Sequence, residues 1–133
     1  MRVFLDANVL FTAAHNPMGK ASFIIESGTD VYLLFTNDAA VEEAKRNLAI
    51  KYPNCLARLD DLLSRFTIFI ADLSAPFPEG LASKDAVIFQ AAVACQATHF
   101  LTGDHRHFGL LMNRPNKTNS VVIQTVSQFL AAL

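Results

Sequence analysis

Short apolar runs that recur between segments of helical spacing constrain this chain more than any other feature. Val3-Phe4-Leu5 reads as a buried strand ending at Asp6-Ala7-Asn8. Val31-Tyr32-Leu33-Leu34-Phe35 is uniformly apolar, the pattern of a strand covered on both faces. Thr67-Ile68-Phe69-Ile70, His99-Phe100-Leu101-Thr102 and Val121-Val122-Ile123 complete the set. Between them, Val9 to Ala14 and Lys20 to Ser27 fit helices, the second with Gly28 as C-cap. Thr36 or Asn37 can cap a helix running to about Tyr52, where Pro53 ends it. Leu56, Leu59, Leu62, Leu63 and Phe66 mark the apolar face of the next helix, and Ala-rich helical sequence follows from Ser83 or Lys84 to about Ala97. Val126 to Leu133 predicts a short last helix, and Ser74 to Gly80, with Pro76 and Pro78, is the clear irregular loop. Strand and helix alternating from end to end predict an α/β fold with a mostly parallel sheet and helices on both faces.

A length of 133 residues, 52% hydrophobic, suffices for one domain over 1–133, since such a chain buries roughly two thirds of its unfolded surface. No apolar run approaches the ~20 residues of a membrane span. Asp6 comes too early for Met1-Arg2-Val3-Phe4-Leu5 to begin a signal peptide. Cys55 and Cys95 lack metal or disulfide spacing, so a cytoplasmic protein is expected. A net charge of −1 argues against a strongly basic nucleic-acid binder. The objection weakens if acids are committed to a metal: setting four aside leaves +3 on the rest of the chain.

Ligand sites in open α/β sheets form outside the carboxyl ends of the strands. Asp6 follows the first strand directly, and Asp104 follows the fourth after Gly103. Asp85 falls in the first turn of the helix preceding the Asp104 strand, and Glu43 lies within the helix after the second strand. Four carboxylates without thiolates form a hard, oxygen-rich set suited to Mg²⁺ or Mn²⁺ rather than Zn²⁺. Each acid also has a simpler role open to it. Asp6 can cap a helix, Asp85 can favour a helix N-terminus, Asp104 can be turn chemistry after a glycine, and Glu43 can pair with Lys45 or Arg46 in solvent.

Taken together, Phe4-Leu5-Asp6-Ala7-Asn8-Val9-Leu10, Ala40-Val41-Glu42-Glu43-Ala44-Lys45-Arg46-Asn47-Leu48, Lys84-Asp85-Ala86-Val87-Ile88 and Phe100-Leu101-Thr102-Gly103-Asp104 resemble the PIN-domain family, in particular its VapC-like ribonuclease branch. The resemblance covers essentially the whole chain and implies a three-layer α/β/α sandwich. It implies Asp6, Asp85 and Asp104 as metal ligands, with Glu43, rather than Glu42, holding a metal or its water. Asn8 matches a polar supporting position and Thr102 a hydroxyl that orients an acid or water. Many relatives carry a further acid or Asn after the last Asp, where this chain has His105-Arg106-His107-Phe108. His107, Arg106 and Arg114 are candidates for RNA contact, with an ordinary solvated loop as the alternative.

The activity implied is that of a Mg²⁺- or Mn²⁺-dependent endoribonuclease, the toxin of a toxin-antitoxin pair, with RNA as substrate, an antitoxin protein as partner and a homodimer as a candidate assembly. The competing reading is a PIN-like scaffold or regulatory binding module. Phospho-receiver domains are disfavoured because the first strand ends in Asp6-Ala7-Asn8 without an acid pair. Aspartate-nucleophile phosphatases are disfavoured because Asn8 stands where their second Asp belongs.

Overall fold

Every expected strand forms, and all of them join one sheet. The computed structural model describes residues 1–28 and 30–133. In order the elements are β1 (Arg2–Leu5), α1 (Ala7–His15), α2 (Lys20–Ser27), β2 (Leu33–Asn37), α3 (Asp38–Lys51), α4 (Leu56–Leu63), β3 (Thr67–Phe69), α5 (Ser83–Ala94), β4 (His99–Leu101), α6 (His105–Phe108), β5 (Val122–Gln124) and α7 (Val126–Ala132). The sheet order is β3-β2-β1-β4-β5 and every pair is parallel. The chain therefore lays strands outward on one side of β1, then crosses back to place β4 on the other. The switch point, where crossovers diverge and leave a crevice, lies between β1 and β4.

Register decides what reaches that crevice. Leu5 pairs with Leu101, so Asp6 and Thr102 leave the sheet side by side. The Asp6 amide still donates to the Leu101 carbonyl at 3.0 Å, fixing the backbone where the strand becomes the cap of α1.

Both sheet faces are buried. Phe4 and Phe100 are paired positions, and their rings stack at 5.5 Å. Phe89 from α5 meets Phe100 edge-on at 5.4 Å, and Phe108 from α6 lies 5.1 Å from it. Burial of each such ring contributes roughly 1.5–3 kcal/mol. The two-residue period sends Val3 and Leu5 to the opposite face, where both are fully buried. A parallel sheet with helices on both sides is what the alternating pattern predicts, and it is the three-layer α/β/α sandwich that the resemblance implies. No helix among the described residues is long and apolar enough to cross a membrane.

Several boundaries differ from the sequence reading. Coverage on both faces holds only from Leu34 onward in β2: Val31 and Leu33 are exposed at the amino-terminal rim, where the Leu33 amide bonds the Met1 carbonyl. Thr67–Phe69 is an edge strand paired only with β2, which leaves Ile68 and Ile70 exposed. α4 stops at Leu63 because Ser64 bonds back to the Asp61 carbonyl at 2.6 Å. α5 stops at Ala94, and Gln96 then takes a φ of 58° to turn the chain into β4. Gly28 does close α2, but with a right-handed φ of −97°. The reason for glycine is close approach, since a Cβ there would sit 1.9 Å from the Tyr32 ring, whose hydroxyl donates to the Ile24 carbonyl.

Candidate metal centre

Asp6 is the N-cap of α1, so the capping role open to it in the sequence is real: Oδ1 accepts from the Ala7 amide at 2.8 Å. Oδ2 accepts from the Thr102 hydroxyl at 2.7 Å and from Asn8 Nδ2 at 3.0 Å. Asn8 also donates to Thr102 Oγ1 and accepts from the Gly103 amide through Oδ1. The Asp104 amide donates to the same Thr102 oxygen at 3.1 Å. Residues ninety-odd positions apart are thereby locked into one network that fixes the Asp6 carboxylate. Burial first of all, with Glu43 and Asp85 adding repulsion, pushes the Asp6 carboxyl up to about 6 against the lowering effect of its hydrogen bonds.

Asp85 enters from the first turn of α5 and is 5% exposed. Its Oδ2 is buried with no hydrogen-bond partner, and desolvation, with Asp104 and Glu43 adding repulsion, raises its pKa. Asp104 caps α6, accepting from the His107 amide at 3.0 Å and facing His107 Nδ1 at 2.6 Å. Burial opposes ionisation there, but the His107 bonds and charge prevail and hold Asp104 below the usual carboxylate range. The ligand atoms of Asp85, Asp104 and His107 lie within 4.8 Å of one another and could hold a cation.

Glu43 faces the same place from α3. Its side chain is 17% exposed and meets Lys84 Nζ at 2.7 Å, which raises the Lys84 pKa. Glu42 points elsewhere, with a side chain 79% exposed and a long 4.0 Å contact to Arg46. Asp6, Asn8, Glu43, Asp85 and Asp104 all line one cleft of about 450 Å³. Arg106 and Arg114 are exposed and do not line it. The basic residues that do are Lys51 and Lys84, which sequence reasoning missed. A signal existed for Lys51, since Glu43, Asn47 and Lys51 recur every four residues along one face of α3.

No family model matches the chain, and no curated protein does. Among solved structures it is similar to VapBC2 from Rickettsia felis bound to a DNA fragment from their promoter, with a TM-score of 0.70 at 16% identity over 94% of this chain and 98% of the matched one. It is also similar to VapBC-1 from nontypeable Haemophilus influenzae, with a TM-score of 0.63 at 12% identity over 96% and 99% of the two chains. The chain has a PIN-type fold. Within that PIN-type fold, the four acids singled out in the sequence sit at the carboxyl edge around the switch point, contributed by the residue after β1, by α3, by α5 and by the turn after β4.

Proposed function

We propose that this chain is a Mg²⁺- or Mn²⁺-dependent endoribonuclease that hydrolyses RNA phosphodiesters, acting in the cytoplasm as the toxin of a toxin-antitoxin pair. The observation that carries this reading is the convergence of Asp6, Glu43, Asp85 and Asp104 on one cleft, with Asp85 Oδ2 buried and lacking a hydrogen-bond partner among the described residues. Grouped carboxylates repel one another and lose hydration, so a cluster of this kind is costly without a cation. Among the described residues, Lys84 meets Glu43 alone at ion-pair distance, and Asp6, Asp85 and Asp104 have no lysine or arginine partner.

The donor set fits a hard divalent ion. Asp85 and Asp104 would each offer a carboxylate oxygen from the group whose ligand atoms lie within 4.8 Å of one another. Glu43, paired with Lys84, and Asp6, through Oδ1 because Oδ2 already accepts two hydrogen bonds, line the same cleft and would complete the shell directly or through bound water. His107 adds a nitrogen beside Asp85 and Asp104, a donor that Mn²⁺ tolerates better than Mg²⁺ does. When bound, the ion supplies Lewis acidity and neutralises charge developing on the phosphoryl group. The chain's own residues do the positioning. Thr102 and Asn8 aim the Asp6 carboxylate, His107 orients Asp104, and Lys84 and Lys51 draw the anionic backbone toward the acids.

The two VapBC neighbours support an antitoxin partner, whose segment would cover the acidic cleft. A homodimer pairing two such clefts belongs to the same reading, with Arg106 and Arg114 reaching RNA backbone outside the cleft. Purified protein given RNA and Mn²⁺ should cleave it, and Asp104→Asn should abolish cleavage while the protein stays folded. Equal cleavage by that variant would leave a PIN-like scaffold or regulatory module as the better description.

A further inference from the structure

One face of α1 carries Asn8, Phe11, Thr12 and His15, and one face of α3 carries Glu43, Asn47 and Lys51. These are helical spacings, so each set forms a stripe. Both stripes begin at the acids and run away from the sheet, and all but His15 line the acidic cleft. Eight residues from Glu43 to Lys51 span about 12 Å at ~1.5 Å per residue. At that end the cleft is lined by Phe11 and Lys51, and the His15 and Tyr52 rings sit beside Phe11 just outside it. Phe11 lies 5.9 Å from Tyr52 and 6.1 Å from His15, and the His15 and Tyr52 rings stack at 3.8 Å, 13° from parallel. Lys51 Nζ stands 5.7 Å above the Phe11 ring.

Core packing does not account for this cluster. Phe11 packs against the core, but His15 and Tyr52 are not part of it: His15 is exposed and Tyr52 is 40% exposed. Aromatic rings beside a cation, continuous with a groove, are the arrangement that holds unpaired bases, because every base offers a π-face whatever its sequence.

We propose that Phe11, His15 and Tyr52 form a base-stacking subsite for single-stranded RNA just beyond the Phe11 and Lys51 end of the acidic cleft. Lys51 meets the backbone phosphate between the stacked base and the acids, and the Asn47 amide is placed to bond a base edge. A base must leave its duplex to stack there, so the subsite selects single-stranded or looped RNA. The strand's course toward the acids rests on the ribonuclease reading; binding to the rings does not.

The test uses the full chain in EDTA, which prevents metal-dependent cleavage, with a short fluorescein-labelled single-stranded RNA followed by anisotropy. Phe11→Leu combined with Tyr52→Leu should weaken binding about tenfold or more, leave binding of a duplex of the same sequence unchanged, and leave Mn²⁺ titration unchanged. The chain has no tryptophan, so Phe11→Trp adds a single reporter. Its emission should be quenched by the single strand and not by an abasic strand of equal length. Wild-type affinity in the double variant, equal quenching by the abasic strand, or equal losses for duplex and single strand would each overturn the subsite. So would loss of a protein partner with RNA binding intact. If Asp104→Asn left cleavage unchanged while the leucine variants still lost RNA, the metal reading would fall and the subsite would stand. The reverse pattern would remove the subsite alone.

Discussion

Replacing Asp6 by Asn should change the stability of the metal-free protein in opposite directions at acid and neutral pH. The folded carboxyl titrates near 6 against 3.8 for the ordinary group. Its contribution to stability is therefore fully present below pH 3.8 and is lost as the pH rises through 6. A rise of about two pH units corresponds to about 3 kcal/mol lost once Asp6 is ionised. Asn keeps an oxygen for Thr102 and Asn8 but turns an amide toward the Ala7 N–H, and losing that cap costs about 1 kcal/mol. At pH 7.5 in EDTA, Asp6→Asn should thus be about 2 kcal/mol more stable than wild type, a rise in Tm of about 7 °C for a domain of this size. At pH 3, where Asp6 is protonated in most of both the folded and the unfolded chains, the variant should be about 1 kcal/mol less stable. Thermal melts by circular dichroism across this range read the difference directly. Excess Mn²⁺ should then stabilise wild type, by about 2.7 kcal/mol at a hundred times its Kd, and leave the variant unmoved. A wild-type-to-variant difference that is the same at both pH values would refute the reasoning.

Thr102→Val deprives Asp6 Oδ2 of its donor and the Asp104 amide of its acceptor. Calorimetry should find Mn²⁺ bound about ten- to hundredfold more weakly, with Thr102→Ser close to wild type. Gly28→Ala forces the Tyr32 ring away from the Ile24 carbonyl and should cost about 1–3 kcal/mol in urea unfolding, with Mn²⁺ affinity unchanged. Lys84→Gln removes the counter-ion of Glu43. It should tighten Mn²⁺ binding several-fold by calorimetry while raising the RNA concentration needed for half-maximal cleavage.

How much of this was legible in the sequence depended on whether local pattern or tertiary placement set the outcome. The β1 and β4 runs were readable because uniform apolarity is a local property, and Asp6 and Asp104 followed from their place at strand ends. The register that sets Leu5 beside Leu101, and so Asp6 beside Thr102, is a pairing across nearly a hundred residues that no local spacing encodes. Exposure at β3 was hidden for a similar reason: Thr67-Ile68-Phe69-Ile70 reads as interior strand, and only the sheet order puts it at an edge. α6 is too short for a periodic signal, so His107 looked like loop when it is the partner of Asp104. The choice between Glu42 and Glu43 needed the rotation of α3 about its axis. The role of Lys84 is invisible locally, since its contact with Glu43 joins two helices.

A single divalent ion shared by side chains from four parts of the chain is what the proposed chemistry requires. Anomalous diffraction from crystals grown with Mn²⁺ tests this directly. The predicted result is a manganese peak within bonding distance of carboxylate oxygens from Asp6, Asp85 and Asp104, on the side facing Glu43, and its loss in Asp85→Asn crystals. A peak elsewhere on the surface, or an undiminished peak in the variant, would contradict it.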